Sequence, residues 1–331
     1  MIKRIATALL IVSLLISVLA PVASAQTSGD RPGIFEIGQS APTNVRIIGF
    51  KDMTPQVETT VQVQVTDLNT MQDIDKIQIT VFYHGPTPPV ASDVPQAGEP
   101  QTAAIMTWTR TGGWAIDGGA GSTWNINAGN SSTPDNEELS TGTWTFAFAP
   151  GKVATYSHGS GKWWAYALVT DSAGLTGDDM SHKAEMSWYG EINVAGPKEI
   201  NWGSVTPGSD FADNPLAGIE VTYIANGGYD SQVRSSDTWE SNGVVANLSN
   251  NENTNQMNQF ALKANETNDL GGAELVKKNQ GATIGTGGQT VEAGHTQSNN
   301  TFWLKLADGF EPGTYQGTIT FIVANTIPGQ S

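Results

Sequence analysis

The sequence predicts an all-β protein built from two β-sandwiches. Three observations lead to this fold class. Apolar residues alternate with polar ones over short stretches, Gly- and Pro-rich turns separate those stretches, and no segment after residue 25 has the 3.6-residue period of an amphipathic helix. The chain of 331 residues is long enough for two domains. Only 15% of its residues are charged, which argues against a charged helical bundle.

The first 25 residues have the three parts of a secretory signal peptide. Lys3 and Arg4 form a basic start, an apolar run extends from residue 5 to about residue 20, and Ala23-Ser24-Ala25 matches the small-x-small cleavage pattern. We therefore expect a secreted, extracellular or cell-surface protein whose mature chain begins at residue 26. The alternative is that the run is retained, as a membrane anchor or as the hydrophobic helix of a type IV pilin. The run is shorter than the roughly 20 residues of a membrane span.

The charge balance excludes several partners. Without residues 1–25 the chain keeps 14 basic and 32 acidic residues, a net charge of −18. Nucleic acids and anionic membranes attract basic surfaces, so neither is an expected partner. No later apolar stretch is long enough to span a bilayer, so we expect no transmembrane span in the mature chain. The chain has no cysteine, and therefore no disulfide framework and no thiol nucleophile.

The first predicted domain covers residues 44–195. Residues 26–43 precede it as a flexible lead-in with one apolar cluster, Ile34-Phe35-Glu36-Ile37. Strands with one apolar face are predicted at 61–65, 77–83, 144–148 and 164–168, and a strand at 185–194 closes the set. On the strand at 164–168 we place Trp164 on the core face and Trp163 on the opposite face.

The second predicted domain covers residues 196–331. Gly196-Pro197 punctuates the chain after the last strand of the first domain. Further strands are predicted at 218–225, 259–264, 301–306 and 315–323. Between them, residues 241–300 are rich in Asn, Gln, Gly and Thr, which is typical of long polar loops or irregular edge strands.

Both domains resemble known surface modules. In the first, residues 66–75 resemble the loop between strands B and C of an immunoglobulin-like sandwich, and residues 164–179 resemble strand F and the F–G loop. Such domains occur in secreted archaeal and bacterial surface proteins, and we favour an archaeal source. The second domain is similar to WxL-type surface domains, through Trp202-Gly-Ser-Val and residues 312–321. Its W-x-L motifs are not intact, so peptidoglycan attachment is not implied.

Two predicted loops carry three aspartates each, and an immunoglobulin-like fold would bring them to one end of the first sandwich. The residues are Asp67, Asp73 and Asp75 in the B–C loop, and Asp171, Asp178 and Asp179 in the F–G loop. Clustered carboxylates suit a hard cation such as calcium at extracellular concentration. The alternative is plain acidic turns, because Asp is a common turn residue. Apart from calcium, no cofactor is expected.

Seven tryptophans lie between residues 108 and 188. Trp114, in a Gly-rich setting, and Trp163, opposite Trp164, are candidates for stacking on a sugar or for contacting the second domain. The alternative is that they belong to the core.

Other motifs indicate a surface protein and not an enzyme. Asn-x-Ser/Thr sequons occur at Asn130, Asn247, Asn265 and Asn299, which suits glycosylation if the host performs it. The four histidines do not have the spacing of a metalloenzyme, and no nucleophile motif is present.

The sequence therefore predicts a non-catalytic structural or adhesive protein of a prokaryotic cell envelope, such as a surface-layer or filament subunit. Its expected partners are copies of itself, other envelope proteins or glycans. A carbohydrate-binding protein that uses exposed Trp is the first alternative, and a secreted hydrolase is the second.

Overall fold

The structure, a computed structural model, is almost entirely β, as the sequence predicts. It describes residues 33–157, 161–181, 183–196 and 199–326. Within those ranges the helices are four 3-10 turns, at Met71–Asp73, Ala91–Asp93, Phe211–Asp213 and Leu270–Gly272. None of these helices is long and apolar enough to cross a membrane. The predicted signal peptide, residues 1–25, lies outside the described residues.

Nine described strands form the first sandwich. They are β1 (Thr43–Ile48), β2 (Thr59–Thr66), β3 (Ile74–His84), β4 (Ala103–Thr109), β5 (Gly113–Asp117), β6 (Asn125–Ile126), β7 (Thr141–Ala149), β8 (Lys162–Asp171) and β9 (Thr176–Met180). One sheet has the order β1-β2-β7-β6 and the other β5-β4-β3-β8-β9, with all neighbours antiparallel. These orders match strands A-B-E-D and a G-F-C sheet extended by two strands, so the immunoglobulin-like class is confirmed.

The core of this sandwich lies between its two sheets. On β2, Val61, Val63 and Val65 are fully buried, while Gln62 and Gln64 between them are half-buried. Trp144 and Phe146 of the neighbouring strand β7 extend this apolar face, and Ile77, Ile79, Val81 and Met106 of the other sheet pack against it. Each such side chain contributes roughly 1.5–3 kcal/mol when fully buried, which is why the period-two pattern identifies these strands.

The two tryptophans of β8 face the opposite way from the prediction. Trp163 is fully buried in the core between the sheets, whereas Trp164 lies on the outer face in a small cluster with Phe82 and Val94. Both faces of β8 are apolar, so alternation alone does not show which face is inside. The core face carries Trp163 followed by small residues, Ala165 among them, which leave room for the bulky residues opposite.

Ten described strands form the second block. They are β10 (Gly190–Ala195), β11 (Pro215–Ala225), β12 (Tyr229–Ser235), β13 (Thr238–Ser241), β14 (Val244–Leu248), β15 (Gln259–Asn265), β16 (Glu274–Val276), β17 (Ala282–Gly287), β18 (His295–Leu306) and β19 (Ile319–Asn325). The larger sheet has the order β10-β11-β18-β15-β14-β13, with β16 beside β15. A sheet of three strands, β17-β12-β19, encloses a second core with it, around Tyr223, Phe260 and Phe302.

One predicted strand belongs to the other sandwich. Of the stretch at 185–194, expected to close the first domain, residues 190–194 belong to β10, which pairs with β11 along its whole length. Met186 is buried in the first core, whereas Trp188 packs against the second core and donates its indole N–H to the Gly228 carbonyl at 3.1 Å. The chain therefore crosses at Ser187, before the predicted boundary at 195/196. Independent folding of the two sandwiches stays a prediction.

Buried hydrogen bonds join the two sandwiches. Asn226, only 1% exposed, donates its side-chain amide to the carbonyl oxygens of Ala154 and Ser187, both at 2.9 Å. Its Oδ1 accepts from the Tyr189 backbone N–H at 2.8 Å, and its own carbonyl accepts from the Tyr156 N–H at 2.9 Å. One side chain thus satisfies backbone groups from both sides of the crossing.

Further polar contacts surround Asn226. Gln289 donates to the Val153 carbonyl, Gln101 donates to the Thr290 carbonyl, and each distance is 2.7 Å. The Thr123 hydroxyl donates to the Glu292 carboxylate, and Lys152 forms a 2.7 Å ion pair with Glu191. We call this set of contacts, with Asn226 at its centre, the junction.

Candidate metal centre

Three of the six predicted aspartates come together at one end of the first sandwich. Asp67 directly follows β2, Asp73 ends the 3-10 turn before β3, and Asp171 is the last residue of β8. One carboxylate oxygen from each lies within 4.8 Å of the other two. Because β2 and β8 belong to opposite sheets, the cluster lies where the ends of the two sheets meet.

The loops themselves hold each carboxylate by its Oδ1 atom. Asp67 Oδ1 accepts the Asn69 backbone N–H at 2.8 Å. Asp171 Oδ1 accepts the N–H groups of Ala173 at 2.9 Å and Leu175 at 2.7 Å. Asp73 Oδ1 accepts the hydroxyl of Ser172, which links the two loops. Such Asp-to-backbone bonds are common in turns, and here they fix the orientation of the carboxylates.

The second oxygen of each carboxylate is buried without a partner. Asp67 is 0% exposed and Asp171 is 2% exposed. Among the described residues, no donor reaches the Oδ2 atom of Asp67, Asp73 or Asp171. A buried carboxylate oxygen without a donor is costly, and three carboxylates this close together also repel one another.

The neighbouring charges do not relieve this repulsion. Arg110 donates to the carbonyls of Met71 and Ile74 and pairs with Glu137 at 2.9 Å. No ion pair between described residues includes any of the three aspartates. Burial raises the pKa of the Asp67 carboxyl above its ordinary value, and the charges of Asp73 and Asp171 raise that pKa further, against the Asn69 N–H, which lowers it.

The donor set determines which ions could fit. All three ligand groups are carboxylates, which suit hard cations such as calcium or magnesium and not the softer metals that prefer nitrogen or sulfur. Holding a hard cation is therefore what this arrangement of three carboxylates could do chemically.

The other three aspartates do not join the cluster, which corrects the grouping of six. Asp75 is exposed at the start of β3, and Asp178 is exposed on β9. Asp179, also on β9, accepts the Ile47 backbone N–H at 2.7 Å and so holds β1. The F–G turn ends before Thr176, where β9 begins, and the polar sequence of this strand gave no β pattern.

The proposed sugar-facing tryptophans do not form a platform. Trp163 is fully buried and donates its indole N–H to the Thr155 carbonyl at 2.8 Å, so the expectation that it faces a ligand is wrong. Trp114 is half-buried and packs edge-on against Phe146, with ring centroids 4.7 Å apart. Its exposed part is therefore the edge of a core cluster.

Three of the four sequons present an exposed asparagine. Asn130, Asn247 and Asn299 are exposed, whereas Asn265 is half-buried and donates its amide to the Asp269 carbonyl at 3.2 Å. Glycosylation at these positions stays a prediction. The junction residue Asn226 was not identified from the sequence, because an Asn before two glycines resembles an ordinary turn.

Comparison with known proteins finds no match in sequence and low-scoring matches among solved structures. No family model and no curated protein sequence matches the chain, so the similarity to WxL-type domains stays a prediction. Among solved structures, BcpA, the major pilin subunit of Bacillus cereus, is 10% identical with a TM-score of 0.23, over 88% of this chain and 68% of that one. A fragment of the major pilin of Streptococcus agalactiae is 11% identical with a TM-score of 0.20, over 85% of this chain and 90% of the fragment.

A transglutaminase of red sea bream is also similar, at 10% identity and a TM-score of 0.20. The match covers 86% of this chain but only 31% of the transglutaminase. At TM-scores of this size none of these similarities supports an argument about function.

Proposed function

We propose that this chain is a non-catalytic structural subunit of a prokaryotic cell surface, exported and assembled with copies of itself into a layer or filament. The observation that carries the proposal is the junction, in which buried Asn226 hydrogen-bonds backbone groups of both sandwiches. Tandem domains usually move relative to one another unless the interface between them is extensive. A junction closed by buried hydrogen bonds resists such motion, which suits a subunit that transmits force.

The segment before β1 supplies a means of self-association. Ile34, Phe35 and Ile37 are 91%, 84% and 76% exposed, and residues 33–42 belong to no strand. Ile34 to Ile37, an exposed stretch outside any strand, could add to a sheet edge of another copy as an extra strand. Each of the four sheets in the described residues is open and therefore has edge strands. Pairing would bury Phe35 and Ile37 on one face, because they are two residues apart.

A carbohydrate-binding role is the second candidate, and it has less support because Trp163 lies inside the core. Glycans attached to the exposed sequons would suit the proposed location, as would the predicted signal peptide.

Assembly tests the proposal. We would compare residues 26–331 with residues 39–331 by light scattering and by negative-stain electron microscopy at increasing concentration. We expect the longer chain to form layers or filaments and the shorter chain to remain monomeric with an unchanged melting temperature.

Point variants of the segment provide the matched comparison. A Phe35→Asp and Ile37→Asp double variant should lose assembly, whereas the Glu36→Ala variant between them should assemble like the wild type. The proposal would be abandoned if residues 26–331 stay monomeric at every concentration, or if the double variant assembles normally.

A further inference from the structure

We propose that Asp67, Asp73 and Asp171 bind one calcium ion, which joins the ends of the two sheets of the first sandwich. This inference is independent of the proposed function, since it concerns the fold of a single chain.

The geometry already fits one ion. Oxygens that bind the same calcium at 2.3–2.6 Å can lie at most about 5 Å apart. One oxygen from each of the three aspartates lies within 4.8 Å of the other two, which is inside this limit.

The unpartnered oxygens are the second line of support. The loops occupy each Oδ1 and leave each Oδ2 buried with no donor among the described residues. In Asp67 and Asp171 the residue itself is almost fully buried, so water does not replace the missing donor at the surface. A bound cation would satisfy all three oxygens and would neutralise most of their charge.

The ligand chemistry favours calcium over magnesium. Calcium takes six to eight oxygen ligands in flexible geometry, so three carboxylates can be completed by water or by main-chain carbonyls. Magnesium demands near-ideal octahedral geometry, loses its water reluctantly and is usually bound by one or two carboxylates. Three carboxylates from two loops at the end of a sandwich match the ligand set expected for calcium.

The ion would strengthen the link between two loops that hydrogen bonds between Ser172 and Asp73 already join. Asp67 and Asp73 flank the crossing from one sheet to the other, and Asp171 ends β8, an internal strand of the second sheet. Calcium would therefore stabilise the folded sandwich and protect this end from local opening.

The test uses residues 26–331, stripped with chelator and kept dilute. Equilibrium dialysis against calcium chloride should show one ion bound per chain, with a dissociation constant in the range of about 10⁻⁴–10⁻³ M that is typical of extracellular modules. At 10 mM calcium the melting temperature should rise by about 3–8 °C, and by clearly less at 10 mM magnesium.

Variants locate the site. Asp171→Asn and the less buried Asp73→Asn should each lose the bound ion and the thermal shift. Asp75→Asn, two residues from Asp73 but exposed on β3 and outside the cluster, should keep both. Asp73 is less buried than Asp171, so Asp73→Asn still tests the site if Asp171→Asn does not fold.

Three outcomes would overturn the inference. They are the absence of stoichiometric binding at millimolar calcium, retention of binding in the Asp73→Asn variant, and a magnesium shift as large as the calcium shift, which would exclude the assignment to calcium. The calcium measurements use dilute chain that has not assembled. A negative result would therefore refute the calcium site without bearing on the proposed assembly.

Discussion

The side-chain amide of Asn226, in the second sandwich, donates a 2.9 Å hydrogen bond to the carbonyl oxygen of Ala154, in the first. Both residues are buried, so neither group finds water if the bond is lost. The two sandwiches are therefore joined through a residue whose replacement leaves unsatisfied groups on both sides.

Replacing Asn226 should uncouple the sandwiches. We expect Asn226→Ala to lower the free energy of unfolding by about 2–4 kcal/mol, because several buried backbone groups lose their partner. Calorimetry should then show two unfolding transitions where the wild type shows one. Asn299→Ala, an exposed change in β18, should cost less than about 0.5 kcal/mol and keep a single transition. A single, unshifted transition in Asn226→Ala would show that the junction does not couple the two cores.

The pKa of Asp67 gives a pH dependence with a defined sign. The pKa of the Asp67 carboxyl is higher in the folded protein than in the unfolded chain. At pH values between these two pKa values, the folded state therefore binds more protons than the unfolded state. When a chelator keeps the protein free of metal, the stability that the protonated Asp67 carboxyl contributes is therefore lost as the pH rises through this range. Asn at this position cannot ionise and can still accept the Asn69 N–H bond.

We accordingly expect Asp67→Asn to be more stable than the wild type at pH 7 in chelator, with the difference shrinking toward pH 4. In saturating calcium the order should reverse. Urea denaturation of both proteins across this pH range measures the difference. A difference independent of pH would mean that the Asp67 charge is not destabilising in the metal-free chain.

Trp163 distinguishes a core role from sugar binding. We expect Trp163→Ala to lower the free energy of unfolding by about 3–5 kcal/mol, since it removes a fully buried indole and its hydrogen bond to Thr155. Trp114→Ala, at a half-buried position, should cost less. Chemical denaturation measures both variants. If Trp163→Ala left stability unchanged but abolished binding on a glycan array, the carbohydrate-binding alternative would gain the support that it lacks.

The strands with one apolar face could be predicted from the sequence. β2 alternates strictly, and β3 and β7 alternate over part of their length, because one side faces the core; the predicted stretches lie within these strands. Strands with two covered faces or small polar residues could not be placed in the same way. Trp163 and Trp164 both lie in apolar surroundings, so periodicity gave the wrong face.

Small, polar residues conceal strands of the second block. In β17 (Ala282–Gly287), Thr and Gly occupy most positions, and the strand lies within the stretch assigned to polar loops or irregular edges. Pairing with β12 and burial of Ala282 and Ile284 fix it as an edge strand. These determinants are tertiary, and local propensity does not encode them.

The candidate site was partly predictable because topology alone brings two loops together. Asp67 and Asp171 lie at the ends of strands B and F, which an immunoglobulin-like sandwich places opposite each other in its two sheets. Which further aspartates join them depends on where β9 begins, and this excludes Asp178 and Asp179. The junction depends on contacts between residues far apart in sequence, such as Asn226 and Ala154, which no local pattern reveals.

The central claim is that copies of this chain assemble by pairing residues 34–37 with a sheet edge of a neighbour. Amide hydrogen exchange tests it most directly. The exchange rates of residues 26–331 are measured in the assembly formed at high concentration and are compared with the rates in the dilute monomer. We expect the amides of Ile34, Phe35, Glu36 and Ile37 to exchange freely in the monomer and to become protected in the assembly. Assembly in which these four amides still exchange at the rate of the monomer would contradict it.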